Sequence, residues 1–177
     1  LRTAFIEVGK TTVMNFKLLV ITLVLTSGFI GSVFAQQTTG DVSGAAEIYK
    51  PDPITDATLI DKLRDKAVII TTQEGSFMIE LFPNDAPRHV MHFLNLIESG
   101  YYEGTIFHRI IPNFMIQGGD PNTKNPELDR STWGQGGPDY NIDNEFNTIK
   151  HIRGIVSMAR GQGIDSAGSQ FFIVHQD

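Results

Sequence analysis

From residue 67 onward the apolar positions follow short, sharply bounded periods. Ala67-Val-Ile-Ile-Thr-Thr72 is β-branched and predicts a strand, and Phe77-Met-Ile-Glu-Leu-Phe82 predicts a second. Gln73-Glu-Gly-Ser76 lies between them with a glycine for the turn, so the pair reads as a β-hairpin. Pro83 to Pro87 stops the sheet. Asp85 is placed to cap a helix whose first turn takes Pro87. Val90, Phe93, Leu94 and Ile97 then recur on one helical face, and Gly100 ends the helix. Strands are predicted again at Thr105 to Ile111 and Phe114 to Gln117, with the bend at Pro112-Asn113. Two more short ones follow, Ile155 to Ala159 and Ser169 to Val174. Many short strands, one amphipathic helix and no βαβ spacing imply a mainly β, antiparallel barrel or sandwich.

The first 66 residues follow other rules. Met14-Asn-Phe-Lys17 precedes an almost wholly apolar run, Leu18 to Ile30, and then Gly31-Ser-Val-Phe-Ala35. A short basic region, a short apolar core and small residues at Val33 and Ala35 make a secretory signal pattern with cleavage before Gln36. On this reading Met14 is the start, residues 1–13 lie upstream of it, and 1–35 form the signal region. The run is shorter than the ~20 residues of a permanent span, so no stable membrane span is expected after cleavage. An uncleaved signal anchor is the alternative. Residues 36–66 are polar and read as a tether, with Leu59 to Leu63 forming a short helical turn near its end. The domain proper is expected at 67–177.

Composition narrows the chemistry. The chain of 177 residues has no cysteine, which removes disulfides, cysteine ligands and a cysteine nucleophile. Its formal net charge is −6, and without residues 1–35 it is −8. A domain with scattered acidic charge is a poor partner for nucleic acid. His89 and His92 sit three apart on the predicted helix but lack a third ligand, so surface positions are expected for both and no metal or cofactor is implied. Gly134-Gln-Gly-Gly137 lacks the lysine, serine and following helix of a phosphate-binding loop and reads as a turn.

Two segments stand out, Phe107-His-Arg-Ile-Ile-Pro-Asn-Phe-Met-Ile-Gln-Gly-Gly-Asp120 and Ser157-Met-Ala-Arg160 with Ser166-Ala-Gly-Ser-Gln-Phe-Phe-Ile173. Gln170 and Phe172 are two apart and share one strand face, polar and aromatic, while Phe171 and Ile173 make an apolar face. Met115 and Gln117 share a face, and Arg109 is expected to share one with Phe107 and Ile111. Each residue alone has an ordinary reading. Arg109 is an exposed strand arginine, Phe114, Met115 and Phe172 are core, and Gln117 and Gln170 are solvated.

Together, the two segments resemble the signature segments of cyclophilins, from about Ala67 to Asp177, in the style of the bacterial branch. The resemblance implies an antiparallel eight-stranded β-barrel with capping helices. It implies peptidyl-prolyl cis–trans isomerase activity on proline-containing polypeptides, a monomer, and a groove open to a cyclosporin-type inhibitor. By position Arg109 is the catalytic arginine. Phe114, Met115 and Phe172 form the proline-ring pocket, with Gln117 and Gln170 beside it. Ala159 and the backbone of Arg160 lie where the substrate main chain pairs. His108 takes a structural role. With the signal, the whole reads as an exported, periplasmic or secreted folding enzyme.

Two departures matter. A cyclophilin continues past the position of Asp177 with further strands and a second helix, so open sheet edges and an uncapped barrel mouth are expected here. Arg160 stands where some members have asparagine. Two other functions compete, a proline-peptide-binding or chaperone module without catalysis and a ligand-binding β-barrel with an apolar interior cavity.

Overall fold

A computed structural model describes residues 6–15, 57–125 and 127–176. The signal core from residue 16, the cleavage position after Ala35 and the tether up to residue 56 lie outside the described residues. Eight strands are found among those described. They are β1 Ile6–Asn15, β2 Lys66–Thr72, β3 Gly75–Glu80, β4 Ile106–Phe107, β5 Arg109–Ile111, β6 Met115–Gly118, β7 Val156–Met158 and β8 Phe171–Val174. Two α-helices, α1 Ala57–Arg64 and α2 Pro87–Glu98, accompany them.

The strands form two four-stranded sheets, ordered β3-β2-β1-β4 and β5-β6-β8-β7. The fold is mainly β with few helices. The two sheets do not join into a closed barrel among the described residues. The family's eight-stranded barrel is thus not closed here, in line with the open sheet edges that the sequence led one to expect.

β2 and β3 make the expected hairpin, paired from Ala67↔Glu80 to Thr72↔Gly75, with Gly75 at φ 131° closing the turn. Only glycine takes that backbone freely. β1 is the unexpected element. It pairs antiparallel with β2 from Val8↔Thr72 to Asn15↔Lys66, and with β4 at Ile6↔Phe107 and Glu7↔Ile106. Val8 is buried in the core, its backbone held by Thr105 O at 2.7 Å and by Gly104 N at 2.8 Å. Residues 6–13, read from the sequence as upstream of the start, thus lie between β2 and β4, and Met14 is inside the strand. The sequence implied open sheet edges, and β1 covers one edge of β2.

The tether also ends earlier than expected. Residues 57–64 form a helix, and its Leu63 is buried in the core. The core gathers Val68 and Ile70 from β2, Ile79 from β3, and Val90, Phe93, Leu94 and Ile97 from α2. Tyr102, Phe107 and Phe171 complete it, with edge-on ring contacts of Phe171 to Tyr102 and Phe107 at 5.6 and 5.9 Å.

α2 starts at Pro87 and stops at Ser99-Gly100, Gly100 having φ 72°, as its sequence implied. Its cap is different. No side chain of the local N-cap residue, Ala86, bonds the first turn, and Asp85 is exposed. Glu145 accepts from Arg88 N at 3.1 Å and His89 N at 2.9 Å, so the orphan amides are satisfied from 57 and 56 residues away. The histidine expectation is also corrected. His92 is 3% exposed, its Nε2 is 2.8 Å from Gly168 O, and its ring meets Tyr140 edge-on. His89 is half-buried, with Nε2 3.0 Å from Asp143 O. The segments 139–145 and 167–169 fold back over the helix face that its own periodicity left polar.

Candidate active site

The site is built on the sheet β5-β6-β8-β7. The predicted strand from Thr105 to Ile111 is broken at His108 because its halves belong to different sheets, β4 pairing with β1 and β5 with β6. The break reverses a face assignment. Phe107 is 1% exposed in the core, whereas Arg109 is exposed on the site face, so the two do not share a side.

Beyond the break, register places the expected residues together. Arg109 pairs with Gln117, Ile111 with Met115, Gln117 with Phe172, and Met115 with Val174. Directly paired residues of an antiparallel ladder point to the same face. Arg109, Gln117 and Phe172 therefore form one row across three strands. Phe171 and Ile173 point the other way, toward the core. The β5–β6 turn carries Asn113 at φ 60°, which holds Phe114 at the tip, 53% exposed. Met115 is 3% exposed and forms the floor beside it.

A polar relay fixes the row. Arg109 Nη1 donates to Gln117 Oε1 at 3.3 Å, Gln117 Nε2 to Gln170 Oε1 at 2.9 Å, and Gln170 Nε2 to Gly136 O at 2.8 Å. A cleft of about 1140 Å³ is lined by Arg109, Phe114, Met115, Gln117, Ala159, Arg160 and Phe172. Gln170 extends the row through its bond to Gln117 and does not line that cleft. Ala159 N is taken by Gln170 O at 2.8 Å. The Arg160 guanidinium lies over the Phe146 ring at 5.7 Å.

Residues 67–177 match the family model for cyclophilin type peptidyl-prolyl cis-trans isomerase/CLD. The chain belongs to the cyclophilin family. A peptidyl-prolyl cis-trans isomerase of Synechococcus elongatus is 43% identical over 108 residues, covering 61% of this chain and 68% of its own. A relative from Brucella suis is 40% identical over 116 residues, 64% of this chain and 59% of its own. The chain thus spans about 60–70% of the length of these two relatives. Among solved structures, a Cryptosporidium parvum cyclophilin determined in the presence of the dipeptide Ala-Pro has a TM-score of 0.53 and 38% identity. That match covers 61% of this chain and 66% of the other.

The geometry of this cyclophilin adds residues that sequence reasoning missed. His151 stacks on Phe172 with centroids 5.6 Å apart and planes tilted by 31°. Phe146 is exposed beside Arg160. Neither lies in a signature segment, and nothing in local periodicity marked them. The cleft is also wider than a proline slot. It runs on to Phe77, Ile79, Val90 and Phe93, because the two sheets remain apart on this side.

The glycine-rich loop has an internal duty. Asp120 is fully buried, and its carboxylate accepts from Asn122 N at 2.8 Å, from Gly134 N, and from Gly136 N at 3.3 Å. A Cβ on Gly136 would stand 2.1 Å from Asp120 Oδ1, so that position has no room for a side chain. The loop binds an anion of its own chain and, through Gly136 O, anchors Gln170. His108, next to Arg109, is half-buried with its ring close to the Ile106 backbone. Burial pulls its pKa below the ordinary histidine value, opposed by the nearby Asp120 charge.

Proposed function

We propose that this chain accelerates cis–trans rotation about X-Pro peptide bonds, with Arg109 as its catalytic residue. The observation that carries the reading is one cleft lined by the Arg109 guanidinium together with Phe114, Met115 and Phe172. The dipeptide named with the Cryptosporidium parvum relative, Ala-Pro, is the minimal substrate of this kind.

Amide rotation must break C–N double-bond character, a barrier of about 18–20 kcal/mol. The uncatalysed X-Pro bond takes tens of seconds or longer. Reaching milliseconds needs about a 10⁴-fold gain, or roughly 5.5 kcal/mol. No bond is made or broken. As the bond twists, the lone pair localises on the prolyl nitrogen, and a fixed donor stabilises it there more than in the planar ground state. Arg109 stays charged at any working pH and offers donors in one plane. Its hydrogen bond to Gln117 sets that plane. Phe114, Met115 and Phe172 hold the ring, Gln117 grips the turning carbonyl, and Ala159 and Arg160 border the path of the substrate main chain.

A protease-coupled assay on an Ala-Pro peptide tests this with the full chain and Arg109→Ala. Loss of one transition-state donor costs about 10²–10³-fold in kcat/KM. Equal rates for the two proteins would favour a proline-peptide-binding or chaperone module without catalysis.

Folding of exported proteins is the proposed setting, supported by the signal pattern at 14–35. Among the described residues no helix is long and apolar enough to cross a membrane. Met14 and Asn15 both open that signal and close β1. Sequencing the N-terminus of protein recovered from the secreting cell decides the matter. A start at Gln36 supports export with cleavage, and retention of residues 6–15 supports the strand.

A further inference from the structure

Asp120 does not line the cleft, yet it is fully buried. A buried carboxylate is costly unless its oxygens are satisfied. Three backbone amides satisfy this one, those of Asn122, Gly134 and Gly136. The backbone oxygen of Asp120 also accepts from Thr123 Oγ1 at 2.6 Å, and that hydroxyl accepts from Ile106 N at 3.0 Å. Asp120 thus ties the loop to both flanks of the catalytic row. Ile106 lies on β4, just ahead of Arg109. On the other flank a single residue makes the link, because Gly136 N donates to the carboxylate while Gly136 O accepts from Gln170 Nε2 at 2.8 Å. A Cβ on Gly134 would meet the His108 ring at 3.6 Å, so the loop also backs the neighbour of Arg109.

We propose that Asp120 is a positioning residue that, through Gly136, orients Gln170, Gln117 and the Arg109 guanidinium for the isomerase reaction. Arg109 is exposed, and a free side chain of its length samples many rotamers. Its bond to Gln117 limits them only while Gln170 holds Gln117 and Gly136 holds Gln170. A donor that stabilises a transition state depends on that fixed geometry. Holding the proline ring does not. Phe114, Met115 and Phe172 are placed by ladder register and the β5–β6 turn. Loss of the Asp120 carboxylate therefore slows rotation more than it weakens binding. The inference rests on the isomerase reading for its consequence, but the relay can be observed without turnover.

Asp120→Asn keeps the shape of the side chain but turns an NH₂ group toward amides that need an acceptor. In the full chain, below its unfolding transition, rotation of a saturating Ala-Pro peptide is followed by NMR exchange and its Kd by titration. The side-chain amide signals of Gln117 and Gln170 are read from ¹⁵N spectra. Asp120→Asn is expected to lower kcat about tenfold, within the ~10²-fold that a 1 Å misplacement can cause. Kd should stay nearly unchanged, and both glutamine signals should shift. Gly136→Ala keeps the carboxylate but sets a Cβ against it, so it should act alike and stands in if Asp120→Asn does not fold. Gln170→Leu cuts the relay directly, and adding Asp120→Asn to it should bring no further loss, because both act through one link. Unmoved glutamine signals, a Kd that rises as much as kcat falls, or additive losses in the double variant would each overturn the positioning role. Shifted signals without catalysis by the unaltered protein would overturn the isomerase reading and keep the relay.

Discussion

The two sheets of this cyclophilin are held by different means. In β3-β2-β1-β4 three strands are long, at 6, 7 and 10 residues, with the two-residue β4 at the edge, and the buried Val8, Val68, Ile70 and Ile79 face α2. In β5-β6-β8-β7 no strand exceeds four residues, and one face carries the Arg109–Gln117–Gln170 relay with half-exposed aromatics. The first sheet gains its stability from apolar burial. The second spends its exposed face on a groove and takes its support from the core behind it, chiefly through Phe171. A substitution in the first should unfold the protein, and one on the open face of the second should change what it binds.

The largest expected effect comes from the strand that the sequence did not announce. Removing residues 1–13 takes Ile6 to Val13 out from between β2 and β4 and leaves both with open edges. Thermal unfolding followed by circular dichroism should lose its cooperative transition. An unchanged midpoint would show that the first sheet does not depend on β1. Next come two neighbours on β8. Phe171→Ala, in the core, should destabilise by about 3–5 kcal/mol. Phe172→Ala, on the groove face, should cost about 1 kcal/mol while weakening proline-peptide binding. Comparable midpoints for the two variants would erase the distinction between the faces.

The smallest effect is a pH dependence. Burial holds the pKa of His92 below its ordinary value, with a smaller contribution from His89, against the pull of its bond to Gly168 O. The folded protein therefore binds fewer protons here than the unfolded chain. Stability is full above the unfolded value near 6.5 and is lost as pH falls below it toward the folded value. Denaturant midpoints between pH 7.5 and 5.5 should decline. His92→Gln should flatten that decline, since carboxylates contribute mainly at lower pH. An identical slope in both proteins would assign the loss to another group.

Much of the site could be read from the chain because its residues sit on strands with local rules. Period two separates Gln170 and Phe172 from Phe171 and Ile173 without any tertiary information, and the β2–β3 hairpin follows from a β-branched run and one glycine. The face of Arg109 was legible only from Ile111 onward. At His108 the chain leaves one sheet for another, and a period cannot run through such a switch. His151 and Phe146 reach the cleft from a segment without periodicity, so no local signal placed them there.

By itself the sequence determined the hairpin, the helix from Pro87, the two faces of β8 and the set of residues gathered near Arg109. These depend on neighbours a few positions away, where backbone preference and alternation act. Only the tertiary structure decided that Glu145 caps α2, that His92 is buried, that β1 separates β2 from β4, and that the two sheets stay apart. Each of those depends on segments distant in the chain satisfying one another's amides or apolar surface, and no short window of sequence contains both partners.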